Sequence, residues 1–334
     1  MRRIQPIITF FFCLLSHVSV FSQELISGQV VNAASNQPLS DVSVFYNGTT
    51  LGTTTDDNGY FEIVLPKGLS APLIISFIGF ESLEINKVAP KDLGILQLKP
   101  KTVVLEGVIL DEDIWSLEKK AAIFKKEFLG TSRAAQKSRI LNLQDVIFKF
   151  SQSEKTLYAF SDVPISIDNP YLGYSVSCIL EYFEINFDNI ERRNPTISST
   201  MFSCRTLYKE YEGGEFEKKR KKAYQGSVLH FMRSLSKKEL AKEKFKIYRG
   251  GFQIDSYSQL KVKPLKHFVE VSAFERDFYI RFNDGKVSFM KCKTPIFFID
   301  EYGNDSPNRS VFFGGHMGTH RMADFLPSSY WPND

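Results

Sequence analysis

Apolar and polar residues follow three different patterns along the chain. The first residues form a nearly continuous apolar run, the next stretch alternates over short runs, and the rest mixes alternating runs with helical spacing. A period of two places apolar residues on one face of a strand, whereas spacings of three and four place them on one face of a helix. The pattern predicts a leader, a strand-rich region, and a larger region of strands and helices.

The leader has the layout of a secretory signal peptide. Two arginines precede an apolar run over residues 7–21, and Val20 and Ser22 occupy the small-residue positions of a cleavage site. The run is shorter than the roughly 20 residues of a membrane span, and His17 interrupts it. We therefore predict a cleaved signal peptide over residues 1–22, an exported chain and no transmembrane span in the mature protein.

Short alternating runs separated by Asn, Asp, Gly and Pro continue to about residue 98. In one of them Phe61, Ile63 and Leu65 lie on the same face. Regular short strands with such turns predict an antiparallel β-sandwich over residues 23–99. The acidic stretch 56–58 offers too few oxygen ligands for calcium, which takes six to eight, and we expect a hairpin turn there.

An ordered set of motifs in this region carries a family resemblance. The motifs are Gly28-x-Val30, Gln37-Pro38-Leu39-x-x-Val42-x-Val44, Thr54-Thr55-Asp56-x-Asn58-Gly59-x-Phe61 and Ser76-Phe77-Ile78-Gly79-Phe80-Glu81. The set resembles the carboxypeptidase regulatory-like family, whose members are accessory modules of zinc carboxypeptidases, of outer-membrane TonB-dependent receptors and of secreted proteins. The resemblance implies a prealbumin-like sandwich of seven strands. It implies no peptidase activity, because a shared fold does not carry an active site.

A strand-forming connector over residues 100–110 leads into a larger region, residues 111–334, that we predict to be α+β. Helical spacing predicts one helix over 111–129, ended by Gly130, with an apolar face formed by Ile114, Leu117, Ala121, Phe124 and Phe128. It predicts another helix over 227–244, with a capping box at Ser236 and Glu239 that restarts it. Alternation predicts strands at 146–150, 156–160, 174–187, 198–208, 246–254, 267–274, 278–282, 286–291 and 295–300. We expect the basic stretch 213–222 to be an exposed loop or hairpin tip. The alternative is a phosphate contact, which is disfavoured because the run is short and flanked by glutamates. Overall we predict a mainly β chain, with helices on a mostly antiparallel sheet in its larger region.

The larger region also carries a resemblance, to the part that follows the regulatory-like module in a group of envelope proteins. The matching motifs include Trp115-x-x-x-Lys119, Gly226-Ser227-x-x-His230-Phe231-x-Arg233-Ser234-Leu235, Ile299-Asp300-x-x-Gly303-Asn304 and Arg321-x-Ala323-Asp324-x-Leu326-Pro327. This resemblance implies architecture only.

The net charge and the cysteines bear on two questions, namely whether the chain binds nucleic acid and whether it carries a cysteine-based metal or redox site. The formal net charge is +4 and falls to +2 when the two arginines of the leader are removed, which gives no electrostatic case for nucleic acid. Three cysteines remain after the leader: Cys178, Cys204 and Cys292. Their long spacings exclude C-x-x-C metal or redox sites. We expect mostly buried thiols, with a Cys178–Cys204 disulfide as the alternative.

Two pairs of residues, one His–Glu and one His–His, have spacings that occur in metal sites. His267 and Glu270 have the H-x-x-E spacing of zinc carboxypeptidases, but a strand would point them to opposite faces. His316 and His320 would share one face of a helix, although the glycines around them disfavour a helix. They are the weak metal candidates, and we predict neither a metal site nor a cofactor.

No set of residues in the sequence defines a catalytic site. We expect His230 to be a buried, hydrogen-bonded histidine and Arg233 to bind or pair with a carboxylate. Nucleophile elbows, phosphate loops and dinucleotide-binding motifs are absent from the sequence, so we name no catalytic residues.

These observations favour a non-catalytic exported envelope protein, in the periplasm or at the periphery of the outer membrane, that binds a partner protein or a glycan. The expectation rests on the leader and on an accessory β-module without catalytic residues. The alternatives are a hydrolase of unrecognised type carried by residues 111–334, and a structural component of a cell-surface assembly.

Overall fold

The computed structural model describes residues 24–86, 91–101, 114–191, 193–283 and 285–333. The predicted signal peptide and most of the predicted connector lie outside the described residues. Within the described part of the chain, no helix combines the length and the apolar composition needed to cross a membrane.

The first region contains the seven strands that the family resemblance implies. They are β1 (Leu25–Asn32), β2 (Ser43–Tyr46), β3 (Gly52–Thr54), β4 (Tyr60–Val64), β5 (Leu73–Ser76), β6 (Leu83–Ile85) and β7 (Lys91–Leu98). They form two sheets, ordered β4-β1-β7 and β3-β2-β5-β6. The facing surfaces enclose an apolar core that includes Phe61 and Ile63, as their alternation predicts. All pairs are antiparallel except β1 and β7, which run parallel.

The acidic stretch 56–58 is a turn, but it does not close a hairpin. It joins β3 to β4, which belong to different sheets, so the chain crosses from one layer of the sandwich to the other. Asp56 Oδ1 accepts hydrogen bonds from the backbone N–H groups of Asn58 (2.9 Å) and Tyr60 (2.8 Å). Gly59 follows with a φ of +76°, and a Cβ there would lie 2.5 Å from the Val30 carbonyl oxygen. This close approach explains the glycine in the motif.

The middle of the chain folds around one six-stranded sheet. Its strands are β8 (Arg139–Ile140), β9 (Val146–Ser151), β10 (Thr156–Ser161), β11 (Ile165–Asn169), β12 (Tyr174–Asn189) and β13 (Thr196–Glu210). The order is β8-β11-β12-β10-β9, and β13 pairs with β12 to form a long hairpin. Helices α1 (Leu117–Leu129) and α2 (Arg133–Lys137) pack on this sheet.

Helix α1 begins later than its predicted start. Ser116 caps it by accepting a hydrogen bond from the Lys119 N–H, and Gly130 ends it with a φ of 94°. Phe124 and Phe128 are fully buried against the sheet, as their spacing predicts. The prediction that Leu117 joins this apolar face was wrong, because the first turn points away from the sheet and leaves Leu117 61% exposed.

The described residues of the last part of the chain form a second sandwich together with three helices. Its helices are α3 (Glu217–Tyr224), α4 (Val228–Ser236) and α5 (Ser256–Gln259). Its strands are β14 (Phe245–Arg249), β15 (Phe252–Ile254), β16 (Leu260–Pro264), β17 (Phe268–Ala273), β18 (Asp277–Phe282), β19 (Lys286–Cys292), β20 (Ile296–Asp300), β21 (Asp305–Ser306) and β22 (Val311–Gly315). A five-stranded sheet, β15-β14-β18-β19-β22, faces a four-stranded sheet, β16-β17-β20-β21, and α4 contributes Phe231 and Leu235 to the core between them.

Two predictions about the helices of this part were wrong. Residues 213–222 are not an exposed loop, because α3 begins at Glu217 and buries Arg220. The Arg220 guanidinium donates to the carbonyl oxygens of Leu172 and Gly173 and pairs with a Glu210 carboxylate oxygen at 2.9 Å.

The second error concerns the predicted restart of α4 at Ser236. The helix ends at that residue, whose hydroxyl donates to the Arg233 carbonyl instead of capping a new helix. Lys238 then takes a φ of +58°, which no helix interior allows. The chain continues in turns to β14.

The described residues of the region predicted as one α+β domain enclose two separate apolar cores. One lies under the six-stranded sheet and the other between the sheets of the second sandwich. The mainly β fold class with α+β character is confirmed. The domain limits at 23–99, 100–110 and 111–334 stay predictions.

The first sandwich docks on the middle sheet through the turn between β2 and β3. Thr206 in β13 donates its N–H to Asn47 Oδ1 (2.8 Å) and accepts from the Gly48 N–H (2.8 Å). The Tyr208 N–H donates to the Thr49 carbonyl at 2.9 Å. Backbone groups of the turn thus extend the edge of the six-stranded sheet, which fixes the first sandwich against the rest of the chain.

Candidate functional site

His230 is buried in α4 with both ring nitrogens engaged. Nδ1 accepts a hydrogen bond from the Gly226 N–H at 3.1 Å, and Nε2 lies 3.1 Å from a carboxylate oxygen of Glu243. Because Nδ1 accepts, the proton lies on Nε2 and the ring is neutral. Burial lowers the pKa of His230, which favours the same neutral form. The ring therefore has no free nitrogen to accept a proton from a substrate.

Arg233, one turn away, binds three backbone carbonyls rather than a carboxylate. Its guanidinium donates to the carbonyl oxygens of Tyr302 (3.0 Å), Ser328 (2.7 Å) and Tyr330 (2.8 Å). The sequence expectation of a carboxylate partner for Arg233 was wrong. Arg233 is buried, and a buried guanidinium without hydrogen-bond partners would strongly destabilise the fold. The three hydrogen bonds offset that cost. Arg233 is therefore a structural residue.

The carbonyls that Arg233 binds belong mainly to the C-terminal tail, residues 325–333. The tail also contacts the first sandwich, where the Ser328 N–H donates to the Gly48 carbonyl at 2.7 Å. On α3, Glu217 accepts hydrogen bonds from the Tyr330 hydroxyl (2.8 Å) and the Asn333 N–H (3.0 Å). The tail thus joins the first sandwich to both helices, α3 and α4.

His267 and Glu270 do not form a metal site. His267 directly precedes β17, and Glu270 lies within that strand. His267 Nδ1 lies 3.8 Å from a carboxylate oxygen of Glu301, and both side chains are largely exposed. The structure thus pairs His267 with Glu301 rather than with Glu270.

His316 and His320 are brought together, but no third ligand joins them. A short 3₁₀ helix, Met317–Thr319, places their rings edge to face with centroids 5.0 Å apart. Among the described residues, no group of three or more His, Cys, Asp or Glu side chains is arranged to hold a metal ion. The metal candidates therefore have the proximity that their spacing implies, without a coordination shell.

A cleft of about 380 Å³ lies beside this histidine pair. We name it the basic cleft, because its wall includes the cations Arg133, Lys219, Lys222 and Lys286 together with His316 and His320. Asp324 is the acid among its lining residues. The cations come from α2, α3 and the first residue of β19, which are far apart in sequence. The sequence places Lys219 and Lys222 in one basic stretch, but its pattern does not relate them to Arg133, Lys286 or the histidine pair.

The outer face of the five-stranded sheet carries a row of aromatic side chains. Tyr248 pairs with Tyr279, and Tyr279 pairs with Phe289, so the three residues share one face on adjacent strands. Phe312, on the next strand, has its ring centroid 6.0 Å from that of Phe289. Tyr279 is 56% exposed, Phe289 39% and Phe312 45%. We call these four residues the aromatic row.

The alternation in the sequence contained a signal for the aromatic row. In β18 and β19 the buried residues alternate with Tyr279, Arg281, Val287 and Phe289. Large apolar side chains at the positions that should face water are a signature of a binding surface, and this signature was missed.

Comparison with known proteins agrees with the seven-stranded sandwich at the N-terminus. Residues 26–110 match the family model of the CarboxypepD_reg-like domain. The first sandwich is therefore a CarboxypepD_reg-like domain, and the described part of the chain adds the six-stranded sheet and a second sandwich to it.

One relative with sequence similarity to this chain is a TonB-dependent receptor. The chain is 28% identical over 93 residues to the TonB-dependent receptor SusC of Bacteroides thetaiotaomicron, which corresponds to 28% of this chain and 9% of the receptor. The chain thus spans less than a tenth of that receptor's length.

Similarity to solved structures is low. A type II cohesin–X-dockerin complex from Acetivibrio cellulolyticus matches at 22% identity with a TM-score of 0.21, covering 36% of this chain and 82% of that one. A putative carbohydrate binding protein from Bacteroides uniformis matches at 8% identity with a TM-score of 0.18, covering 83% and 98% respectively. Scores this low define neither the fold nor the function of the present chain.

Proposed function

We propose that this chain is a non-catalytic, exported protein of the cell envelope that binds a partner protein or a glycan through the aromatic row. The observation that carries the proposal is the exposure of Tyr279, Phe289 and Phe312 on one sheet face. Aromatic side chains that lie side by side at the surface present a contiguous apolar area to water, which is unfavourable in free energy. A partner that covers this area removes the unfavourable contact with water.

The cations beside the row fit a binding surface as well. Arg281 lies two residues from Tyr279 on the same face of β18, and its guanidinium lies 5.0 Å from the Tyr248 ring centroid. Lys291 occupies the outer face of β19 beside Phe289. Tyrosine and arginine are enriched among the side chains that dominate binding energy at interfaces, and phenylalanine is enriched in the composition of interfaces.

The envelope location is supported by the predicted signal peptide and by the CarboxypepD_reg-like domain, which the chain shares with a TonB-dependent receptor. The non-catalytic part of the proposal is supported by His230 and Arg233, whose polar atoms are engaged in structural hydrogen bonds. A protein of this design would hold its ligand near the membrane without changing it.

The test is crosslinking in cells, followed by identification of the partner in the membrane fraction. A variant with Tyr279→Ser and Phe289→Ser should lose the crosslinked partner while folding normally. Phe252→Ser is the matched control, because Phe252 is 78% exposed on the same sandwich but lies outside the row. Equal crosslinking by wild type and the double variant would contradict the proposed surface.

Two further observations would contradict the remaining parts of the proposal. Turnover of members of a peptide and glycoside panel by the purified mature protein would exclude the non-catalytic reading and favour a hydrolase. Recovery of the unprocessed chain in the cytosol would exclude export.

A further inference from the structure

The described residues that line the basic cleft bring four cations together with a single acid, Asp324. Within the described residues, Arg133, Lys219, Lys222 and Lys286 form no ion pair with any acidic side chain. Arg133 and Lys219 approach the ring of Tyr171, with centroid distances of 5.8 and 5.1 Å. Like charges that surround one cavity raise its potential and favour an anion inside it.

The histidine pair adds a second, independent feature that points to a ligand. His316 Nε2 is buried and has no hydrogen-bond partner. Burial, with Lys286 and His320 nearby, lowers the pKa of His316 to about 4, and burial also lowers the pKa of His320. An unpaired buried polar atom costs free energy unless a ligand satisfies it, and a bound anion would give the ring a partner.

The size and the polar groups of the cleft fit a sugar better than a bare ion. Its volume of about 380 Å³ lies in the range of small-molecule sites, roughly 300–1,000 Å³. Its wall also offers neutral hydrogen-bonding side chains, namely Thr131, Ser132, Gln225 and Thr319. Hydroxyl and amide groups match the hydroxyl groups of a sugar, while the cations match a carboxylate or a sulfate.

We infer that the basic cleft binds the carboxylate or sulfate group of an acidic sugar, as part of a glycan ligand. This inference rests on the proposed binding function and names the ligand class. The cations of the cleft would select for the charge of that glycan.

Titration calorimetry of the purified mature protein with D-glucuronate tests the inference, with D-glucose and inorganic sulfate as comparison ligands. Wild type should bind glucuronate and not glucose. The double variant Lys222→Gln with Lys286→Gln should lose at least tenfold in affinity. The matched control, Lys218→Gln with Lys261→Gln, removes the same charge from exposed positions outside the cleft and should bind as wild type does.

The pH dependence provides a second readout. Lys286 and His320 face His316 from neighbouring segments, Asp324 and Arg321 follow in the chain, and α2 and α3 contribute the remaining cations. A bound anion stabilises the protonated imidazoles, so glucuronate affinity should rise as the pH falls from 7 to 5. An affinity that is independent of pH would contradict a role for the pair.

Several results would overturn the inference. They are a lack of glucuronate binding by wild type, an equal loss in the control variant, sulfate binding as tight as glucuronate binding, and zinc uptake that depends on His316 and His320. Failure of the cleft can be separated from failure of the proposed function. If the aromatic row still retains its partner while glucuronate does not bind, the cleft inference is wrong and the proposed function stands.

Discussion

The guanidinium carbon of Arg233 lies 3.7 Å from the centroid of the Trp331 ring. The same guanidinium donates hydrogen bonds to the carbonyls of Ser328 and Tyr330 on the tail and of Tyr302 on a loop. Stacking holds the plane of the side chain, and the fixed plane aims its N–H groups at the carbonyls. One residue of α4 therefore anchors the C-terminal tail.

Replacing Arg233 by methionine should lower the free energy of unfolding by about 3 kcal/mol or more, because each buried acceptor left unpaired costs about 1–3 kcal/mol. Urea unfolding and the fluorescence of Trp331 would report the loss. Lys237→Met is the control, since Lys237 lies 5.1 Å from the same ring but is exposed. A similar loss in both variants would show that the carbonyl contacts are not responsible.

Asp300→Asn should weaken the contact between the first sandwich, which contains Ser70, and strand β20 of the second sandwich, which ends at Asp300. The buried carboxylate accepts hydrogen bonds from the Ser70 N–H (2.7 Å), the Ser70 hydroxyl (2.8 Å) and Asn304. Hydrogen bonds to a charged group contribute about 1.5–3 kcal/mol, and the amide keeps only one acceptor oxygen. Hydrogen exchange at the Ser70 amide should accelerate. Glu301→Gln, at an exposed neighbouring position, should leave the rate unchanged.

Gly314→Ala should disturb the aromatic row without unfolding the sandwich. A Cβ at Gly314 would lie 2.0 Å from Phe289 Cζ, so the ring, which rests over this glycine, must move. Because the ring is partly exposed, we expect less than about 1 kcal/mol of destabilisation but a clear loss of crosslinked partner. Unchanged crosslinking with a displaced ring would argue against a role for Phe289.

Thermal stability should fall as the pH is lowered from 7 towards 4. The pKa of His316 is about 4 in the folded protein and near 6.5 in the unfolded chain, and those of His320 and His230 are also lowered. The unfolded state therefore binds more protons in this window, and stability rises with pH. His316→Gln with His320→Gln should flatten the dependence measured by calorimetry. His267→Gln, at an exposed position, should not.

The three cysteines should differ in their reactivity with iodoacetamide. All three are free thiols in the structure, and burial raises the pKa of Cys178 and raises that of Cys292 to about 11. Since the thiolate is the reactive form, both should stay unlabelled in the native protein. Cys204 is only partly buried and should react first. Mass spectrometry of the protein after reaction with iodoacetamide would show which cysteines are labelled. Rapid labelling of Cys292 would contradict its burial.

The spacing of apolar residues correctly predicted which side chains of a strand or helix face the core, where that spacing alone decides their burial. Phe61 and Ile63 in β4, and Phe124 and Phe128 in α1, are buried where their spacing predicts. The pattern failed where a long-range contact decides. Arg220 lies in a basic stretch typical of an exposed loop, but it is buried because carbonyls about 47 residues away accept its N–H groups.

The candidate site was less predictable than the fold. Sequence spacing predicted that His316 and His320 could lie close together, because the two residues are only four positions apart in the chain. The cations beside the histidine pair come from three elements, and no local rule relates them. Only the tertiary arrangement of α2, α3 and the start of β19 places them around one cavity.

The sequence by itself determined the N-terminal module, because its turns need glycine and asparagine at fixed positions and its strands alternate. It also determined that the rest of the chain would be mainly β with helices. Tertiary structure alone decided that the described residues after the module enclose two cores, that the tail ties them to the first sandwich, and that cations meet beside His316. The physical reason is that the burial and the electrostatic surroundings of these residues depend on residues distant in the chain. The periodicity of apolar residues within a short segment carries no information about such contacts.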